Sequence, residues 1–308
     1  MSAGFQATPQ EVSCDKVRFD GQVVIVTGGG RGLGREHCLL LGSRGAIVVV
    51  NDVAEHHARR TADDIIAAGG QALVVVSSIA DPHQARDLVQ STHSRFGRLD
   101  ALLNNAGSGG PTGPIDTVDD ELLHRIVDSH LLGSFYTARA AWPIMVAAGG
   151  GRIVFTSSGS SMGAAGMPVY SMAKAGLWGL TRSLAVEGAA HGIIVNAILP
   201  MGYTRAAALN PNEDTRQWME NQFPPELCSP AAVLLCHSSA PCTGELISSG
   251  GGRVARIATV GVPGFDAGHE LTIEALRDRW NEVVDMEGHR VLSVGRDELS
   301  FHRDIPTF

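Results

Sequence analysis

Tyr170 and Lys174 stand four residues apart, and two adjacent hydroxyls, Ser157 and Ser158, precede them by about a dozen positions. On a helix, positions i and i+4 lie on one face, one turn apart. A phenol with its ordinary pKa of ~10 is a poor base at neutral pH, but a neighbouring ammonium favours the phenolate. A serine hydroxyl placed opposite then holds the oxygen of an alcohol or carbonyl while the tyrosine moves its proton. That arrangement suits proton transfer coupled to hydride transfer, provided a nicotinamide is nearby. Tyr-x-x-x-Lys alone also arises by chance on surface helices, so the reading depends on what the rest of the chain supplies.

The elements that must position these groups follow in order. Gln22 to Val26 is a continuous apolar run rich in β-branched residues, as a strand buried on both faces requires. It leads into Thr27-Gly28-Gly29-Gly30-Arg31-Gly32-Leu33-Gly34 and then a helical pattern to about Arg44. Strand, glycine loop and helix let a pyrophosphate approach the helix N-terminus, where free N–H groups and the dipole favour an anion. A second strand, Ala46 to Asp52, ends in an acid about 20 residues beyond the glycines, placed to accept hydrogen bonds from ribose hydroxyls and to repel a 2′-phosphate. This points to NAD; the alternative is that Asp52 merely caps the next helix. Further strands are expected at 72–76, 99–103, 153–156 and 193–199, alternating with helices that include 119–147 and 170–190. Such alternation means βαβ units in a parallel sheet. The fold class is therefore α/β, a Rossmann-like doubly wound parallel sheet with helices on both faces.

Bulk properties narrow the function. The chain has 308 residues, 44% hydrophobic and 18% charged, enough for a substantial core. A net charge of −8 argues against a nucleic-acid or anionic-membrane partner. No run of 18 apolar residues and no secretory pattern at the N-terminus are present. The five cysteines contain no C-x-x-C, so a reduced compartment, taken as cytoplasmic, and no metal site are expected. His56 and His57, adjacent on a helix, read as a solvated pair.

Thr-Gly-x-x-x-Gly-x-Gly at 27–34, Asn-Asn-Ala-Gly at 104–107, Ser158 and Tyr170-x-x-x-Lys174 together resemble the short-chain dehydrogenase/reductase family over roughly residues 18–250. The resemblance implies NAD(P)-dependent interconversion of alcohols and ketones. Tyr170 becomes the general acid/base, Lys174 lowers its pKa and holds the nicotinamide ribose, and Ser158 orients the substrate oxygen. Gly28, Gly32 and Gly34, with Arg31 and Leu33 between them, fall at the pyrophosphate. Asn105, Ala106 and Gly107 lie near the adenosine ribose, while the segment from Pro200 to Thr204 passes over the nicotinamide. Ser78 and Ile79 fall at the adenine. Within the family, His130 to Phe135, Ala140 to Pro143, Arg152 to Ser158 and Leu235 to Ser238 resemble the 3-hydroxyacyl-CoA dehydrogenase unit of the peroxisomal multifunctional enzyme type 2 and its bacterial relatives. The implied substrate is a 3-hydroxyacyl-CoA or a bulky hydroxylated lipid or steroid, and family precedent implies a homodimer or homotetramer.

Several positions depart from the family pattern. His130 replaces the usual Asn of a proton-relay tetrad, and either holds a water and shuttles protons or is a buried His satisfied by a backbone carbonyl. Spacing to Tyr170 favours Ser157 as the substrate-orienting hydroxyl and alignment of the preceding strand favours Ser158, which is the choice made here; adjacent strand residues face opposite ways, so only one can serve. Ser78 replaces a usual Asp and Met201 a usual Gly. The division expected is an arm over 1–17, an NAD-binding domain over 18–252 with a substrate lid at about 205–230, and an extension over 253–308. In the lid, Trp218, Met219 and Phe223 either line an apolar pocket or pack the lid onto the body. Arg205, Arg216 and Arg253 are candidates to grip a CoA phosphate. The competing readings are a dehydrogenase of free hydroxysteroids or other secondary alcohols, and an idle NAD-binding scaffold.

Overall fold

A computed structural model describes residues 16–108, 113–203, 208 and 212–302, so the expected N-terminal arm lies outside it except for its last two residues. Runs of β-branched and apolar residues form β1 (Val23–Thr27), β2 (Ile47–Asp52), β3 (Gln71–Val76), β4 (Ala101–Asn104), β5 (Gly151–Thr156), β6 (Ile193–Pro200) and β7 (Leu246–Gly250). These seven are parallel, in the order β3-β2-β1-β4-β5-β6-β7, and β8 (Arg253–Ile257) pairs antiparallel with β7. The sheet therefore continues past residue 252, and sequence patterning gave no sign of β7 or β8.

Alternate residues of each strand feed two cores. Val23 and Ile25 face a cluster with Leu88, Ala141 and Leu177, while Val24 and Val26 face another with Cys38, Leu41 and Ile65. The helices supplying them are α1 (Gly32–Ser43) and α2 (Glu55–Ala67) on one face, and α3 (Pro82–Phe96), α5 (Gly133–Ala147) and α6 (Pro168–Gly188) on the other. Local chemistry sets their ends. Asp81 accepts from the amides of His83 and Gln84, Pro82 opens α3, and Gly97 at φ +70° closes it. Between α4 (Asp120–Val127) and α5, residues Asp128–Leu132 wind as one π turn, so the stretch expected as one long helix or two is two α-helices joined end to end by an irregular middle. α7 (Glu213–Gln222) and α8 (Ser229–Leu235) complete the body.

The chain reverses direction across the sheet between β1 and β4. The crevice outside the carboxyl ends of these strands is where open α/β sheets bind ligands, and β5 and β6 deliver Thr156 and Pro200 to the same edge. Beyond β8 the chain forms a short antiparallel hairpin of β9 (Thr259–Gly261) and β10 (Arg290–Leu292), with α9 (Ile273–Asp278) and α10 (Trp280–Val283) between them. Among the described residues, none from 258 to 302 is buried.

Candidate active site

The glycine loop turns from β1 into α1 through Gly28 at φ +63° and Gly32 at φ +53°, a backbone region that side chains resist. A Cβ on Gly28 would meet the Ala106 backbone at 2.8 Å, and one on Gly34 would strike the Gly28 carbonyl and the Asn105 amide. Hydrogen bonds draw the two segments together. Thr27 Oγ1 accepts from the amides of Asn105 and Ala106, both at 3.0 Å, and Asn105 Nδ2 donates to the carbonyls of Thr27 and Gly28. The first turn of α1 has no acidic residue and no side-chain cap, and a Cβ on Gly32 would meet open space. Free N–H groups facing room for a ligand fit a dinucleotide pyrophosphate.

Asp52 lies behind this loop at the end of β2. Its Oδ2 accepts from the Gly30 amide at 3.1 Å and its Oδ1 from the Ala54 amide at 2.9 Å. It thus steadies the glycine loop and the residue before α2, whose N-cap is Ala54 with no side-chain cap. Beyond β3, the Ser78 amide already donates to Gln84 Oε1, and the Ile79 side chain is buried in the core. Ser78 and Ile79 therefore lie apart from the cleft described next. His57 is half-buried against Gly30, and its ring centroid is 3.9 Å from that of His56, so the two form a contacting pair rather than independent surface groups.

A cleft of about 180 Å³ gathers Leu33, Asn105 and Gly107 from the cofactor side with His130, Ser158, Tyr170 and Lys174 from the other; Pro200 and Gly202 form a wall. Ser158 ends the extension of β5, and its Oγ accepts from the Ser160 amide at 3.1 Å, beside Tyr170 in the lining of the cleft. Lys174 is buried, with Nζ donating to the Thr156 carbonyl at 2.5 Å and lying 5.8 Å from the centre of the Tyr170 ring. Burial pulls the Lys174 ammonium down to about 7. The Tyr170 phenol is raised by burial, an effect opposed by the Ser158 hydrogen bond. In the protein alone desolvation dominates both groups, and the Ser158 hydroxyl favours the phenolate.

His130 falls within the π turn and is buried. Its Nε2 lies 2.9 Å from the Ser108 carbonyl, its ring meets Tyr170 edge-on at 5.1 Å, and Nδ1 has no partner. Burial first, then the nearby Lys174 charge, pushes it down to about 3, so the imidazole is neutral. One nitrogen is satisfied by a backbone carbonyl, and the other is left without a partner. Gly107 makes this possible, since any Cβ there would overlap the imidazole.

Ser157 also lines the cleft, but its hydroxyl is engaged. Its buried hydroxyl takes the Trp178 indole N–H at 2.9 Å, donates to the Lys174 carbonyl at 2.9 Å and lies 2.9 Å from Ser161 Oγ. The sequence missed this brace, the Thr156 carbonyl that holds Lys174, and Gly202 in the wall, because none belongs to a spaced motif. Thr204 and Arg205 lie outside the described residues. Of the lid residues, Trp218 and Phe223 line a second, separate hollow together with Met201, while Met219 is not part of its lining.

The short chain dehydrogenase family model matches residues 22–217. The chain is 35% identical over 286 residues to the peroxisomal multifunctional enzyme type 2 of Drosophila melanogaster, which aligns 88% of this chain with 46% of that protein. It thus spans about half the length of that relative. The full-length structure of the fly enzyme superposes with a TM-score of 0.78 at 33% identity, covering 92% of this chain and 49% of that one. A short-chain type dehydrogenase/reductase of Mycobacterium tuberculosis is 31% identical over 281 residues, covering 88% and 96% of the two chains. A 7α-hydroxysteroid dehydrogenase solved with NADH and 7-oxo-glycochenodeoxycholic acid superposes with a TM-score of 0.70 at 29% identity, over 76% of this chain and 95% of that one.

Proposed function

Because the chain belongs to the short-chain dehydrogenase/reductase family, we propose that it is an NAD-dependent dehydrogenase interconverting a secondary alcohol and a ketone. The observation that carries the reading is the convergence of Ser158 and Lys174 on Tyr170 in one cleft, beside Leu33 and Asn105 of the dinucleotide side. Bound along the glycine loop and α1, with Asp52 toward its ribose, NAD would supply the hydride acceptor.

The chain's own groups handle the proton. Ser158 Oγ fixes the substrate oxygen, and Tyr170 takes its hydroxyl proton in oxidation or returns it in reduction. Lys174, anchored by the Thr156 carbonyl, is poised near neutrality, so a modest change in its surroundings decides its charge. When charged it stabilises the phenolate, more strongly in a dry site than in water. The free Nδ1 of neutral His130 is an acceptor for a water on the way from Lys174 to solvent.

Similarity to the multifunctional peroxisomal enzymes favours a 3-hydroxyacyl-CoA or a bulky hydroxylated lipid or steroid as substrate. The hydroxysteroid dehydrogenase neighbour supports the second reading, a free hydroxysteroid or other secondary alcohol. An arm over 1–17, a dehydrogenase unit from 18 whose last strand β8 runs past 252 to Ile257, and an extension after it are our division of the chain, with a homodimer or homotetramer as its assembly. Among the described residues no helix is long and apolar enough to cross a membrane, and the unpaired Cys38, Cys228, Cys236 and Cys242 suit a reducing, cytoplasmic setting.

The test is reduced-nicotinamide formation with NAD and NADP side by side, on a medium-chain 3-hydroxyacyl-CoA, a steroid alcohol and a simple secondary alcohol. Thioester turnover with NAD is expected. Turnover of free alcohols alone would leave the second reading, and NADP preference would reduce Asp52 to its bracing role. Tyr170→Phe should abolish turnover while dinucleotide binding persists; turnover unchanged in this variant would refute the mechanism, and no turnover in the parent would leave an idle scaffold.

A further inference from the structure

The segment after β6 has two sides. Pro200 and Gly202 line the Tyr170 cleft, but Met201 between them turns into a different hollow of about 360 Å³, twice the size. Its walls are Met201 and the rings of Trp218 and Phe223, which meet edge-on with centroids 5.0 Å apart. Its floor is bare backbone at Gly250 and Gly251. A Cβ at Gly250 would collide with the Met201 carbonyl, and one at Gly251 would come within 3.0 Å of the Phe223 ring. That close fit of the Met201 segment on β7 makes the segment a partition between the two clefts.

The rim is polar and of one electrical sense. Gln222, Ser248 and Arg253 reach this hollow, and among the described residues no carboxylate lines it. Arg256, one turn of strand further on, is already paired with Glu245 at 2.6 Å. Arg253 has no carboxylate partner among the described residues. An aromatic, thioether-walled hollow with a few convergent donors is the usual build of a small-molecule site. A guanidinium, a hydroxyl and an amide together match a carboxylate, with the guanidinium able to grip it through two parallel bonds.

We propose that this second cleft binds an amphipathic organic carboxylate, with its apolar body between Trp218, Phe223 and Met201 and its acid group on Arg253. The site stands apart from the Tyr170 cleft and does not depend on the dehydrogenase reading.

Calorimetric titration of the full chain tests this with 2-naphthoate and its neutral counterpart 2-naphthamide, with and without NADH. The acid should bind in both conditions, about tenfold or more tightly than the amide, as a charge-assisted pair predicts. Arg253→Gln, at an exposed position, should erase the difference between the probes, and Trp218→Ala should weaken both. Tyr170→Phe should leave 2-naphthoate binding unchanged. The proposal fails if neither probe binds, if acid and amide bind alike, if Arg253→Gln changes nothing, or if Tyr170→Phe removes binding. It also fails if Trp218 becomes shielded from a quencher only as the chain self-associates, which would give the cleft to a second copy.

Discussion

Replacing each of the two adjacent serines by alanine separates bracing from chemistry. Ser157 is buried and its hydroxyl joins the end of β5 to α6 through Trp178 and the Lys174 carbonyl. Ser157→Ala leaves the indole N–H of Trp178 without an acceptor and the carbonyl with only its helical donor. An unsatisfied buried donor costs about 1–3 kcal/mol, so the expected loss of stability is about 2 kcal/mol. Nothing in that change reaches the substrate oxygen, so kcat should fall by no more than about threefold. Ser158→Ala removes the hydroxyl beside Tyr170 in the cleft and a cap on the Ser160 amide. Its stability cost is about 1 kcal/mol, while loss of a positioned donor at the reacting oxygen should lower kcat about 10²–10³-fold. Urea unfolding gives the first quantity and steady-state kinetics on the best substrate the second. The reasoning is refuted if Ser157→Ala loses turnover at unchanged stability while Ser158→Ala remains active.

Two further expectations concern packing and pH. Gly107→Ala drives a methyl into the His130 imidazole, at about 1–3 kcal/mol of overpacking; adding His130→Ala should recover part of that loss, and simple additivity of the two changes would refute the contact. Lys174 has a folded-state value of about 7 against an ordinary 10.5, so between these pH values the unfolded chain holds a proton that the folded one has released. Stability should therefore rise with pH across that window, by up to about 1.4 kcal/mol per pH unit, and Lys174→Met should flatten the rise. His37 and His130, lowered to about 4 and about 3 mainly by burial, work with the same sign at lower pH. Below the ordinary value of 6.5 the unfolded chain gains their protons first, stability falls, and His37→Asn should remove part of the acid loss measured by urea unfolding.

What could be read from the chain depended on whether a feature is carried by neighbours in sequence. β1, β2 and β6 are runs buried on both faces, so their composition alone marks them. β7 reads Leu-Ile-Ser-Ser-Gly and β8 Arg-Val-Ala-Arg-Ile, half polar at the sheet margin, where partial exposure weakens the pattern. In the site, Tyr170 and Lys174 declare themselves by helical spacing. The acceptor for Lys174 is a backbone carbonyl 18 residues away, and Gly107 and His130 meet across 23 positions. Backbone groups carry no letter in the sequence, and contacts across such gaps exist only once the sheet has assembled. Charge is visible in a sequence, whereas burial, which raises the Tyr170 phenol, is not.

The π turn at Asp128–Leu132 makes chain length, and not only composition, part of the site. A regular helix advances every residue by a fixed angle, and a single π turn takes up one extra residue without breaking the rod. Ile126 before the turn packs with Val169 and Ala173, while Ala138 and Ala141 after it pack into the core against the sheet. Removing one residue between 128 and 132 would restore even winding and swing His130 away from Tyr170 by roughly a quarter turn. The same shift would rotate the buried face of everything upstream or downstream. This stretch of the fold should therefore tolerate many exchanges of side chain, yet scarcely any change in the number of residues.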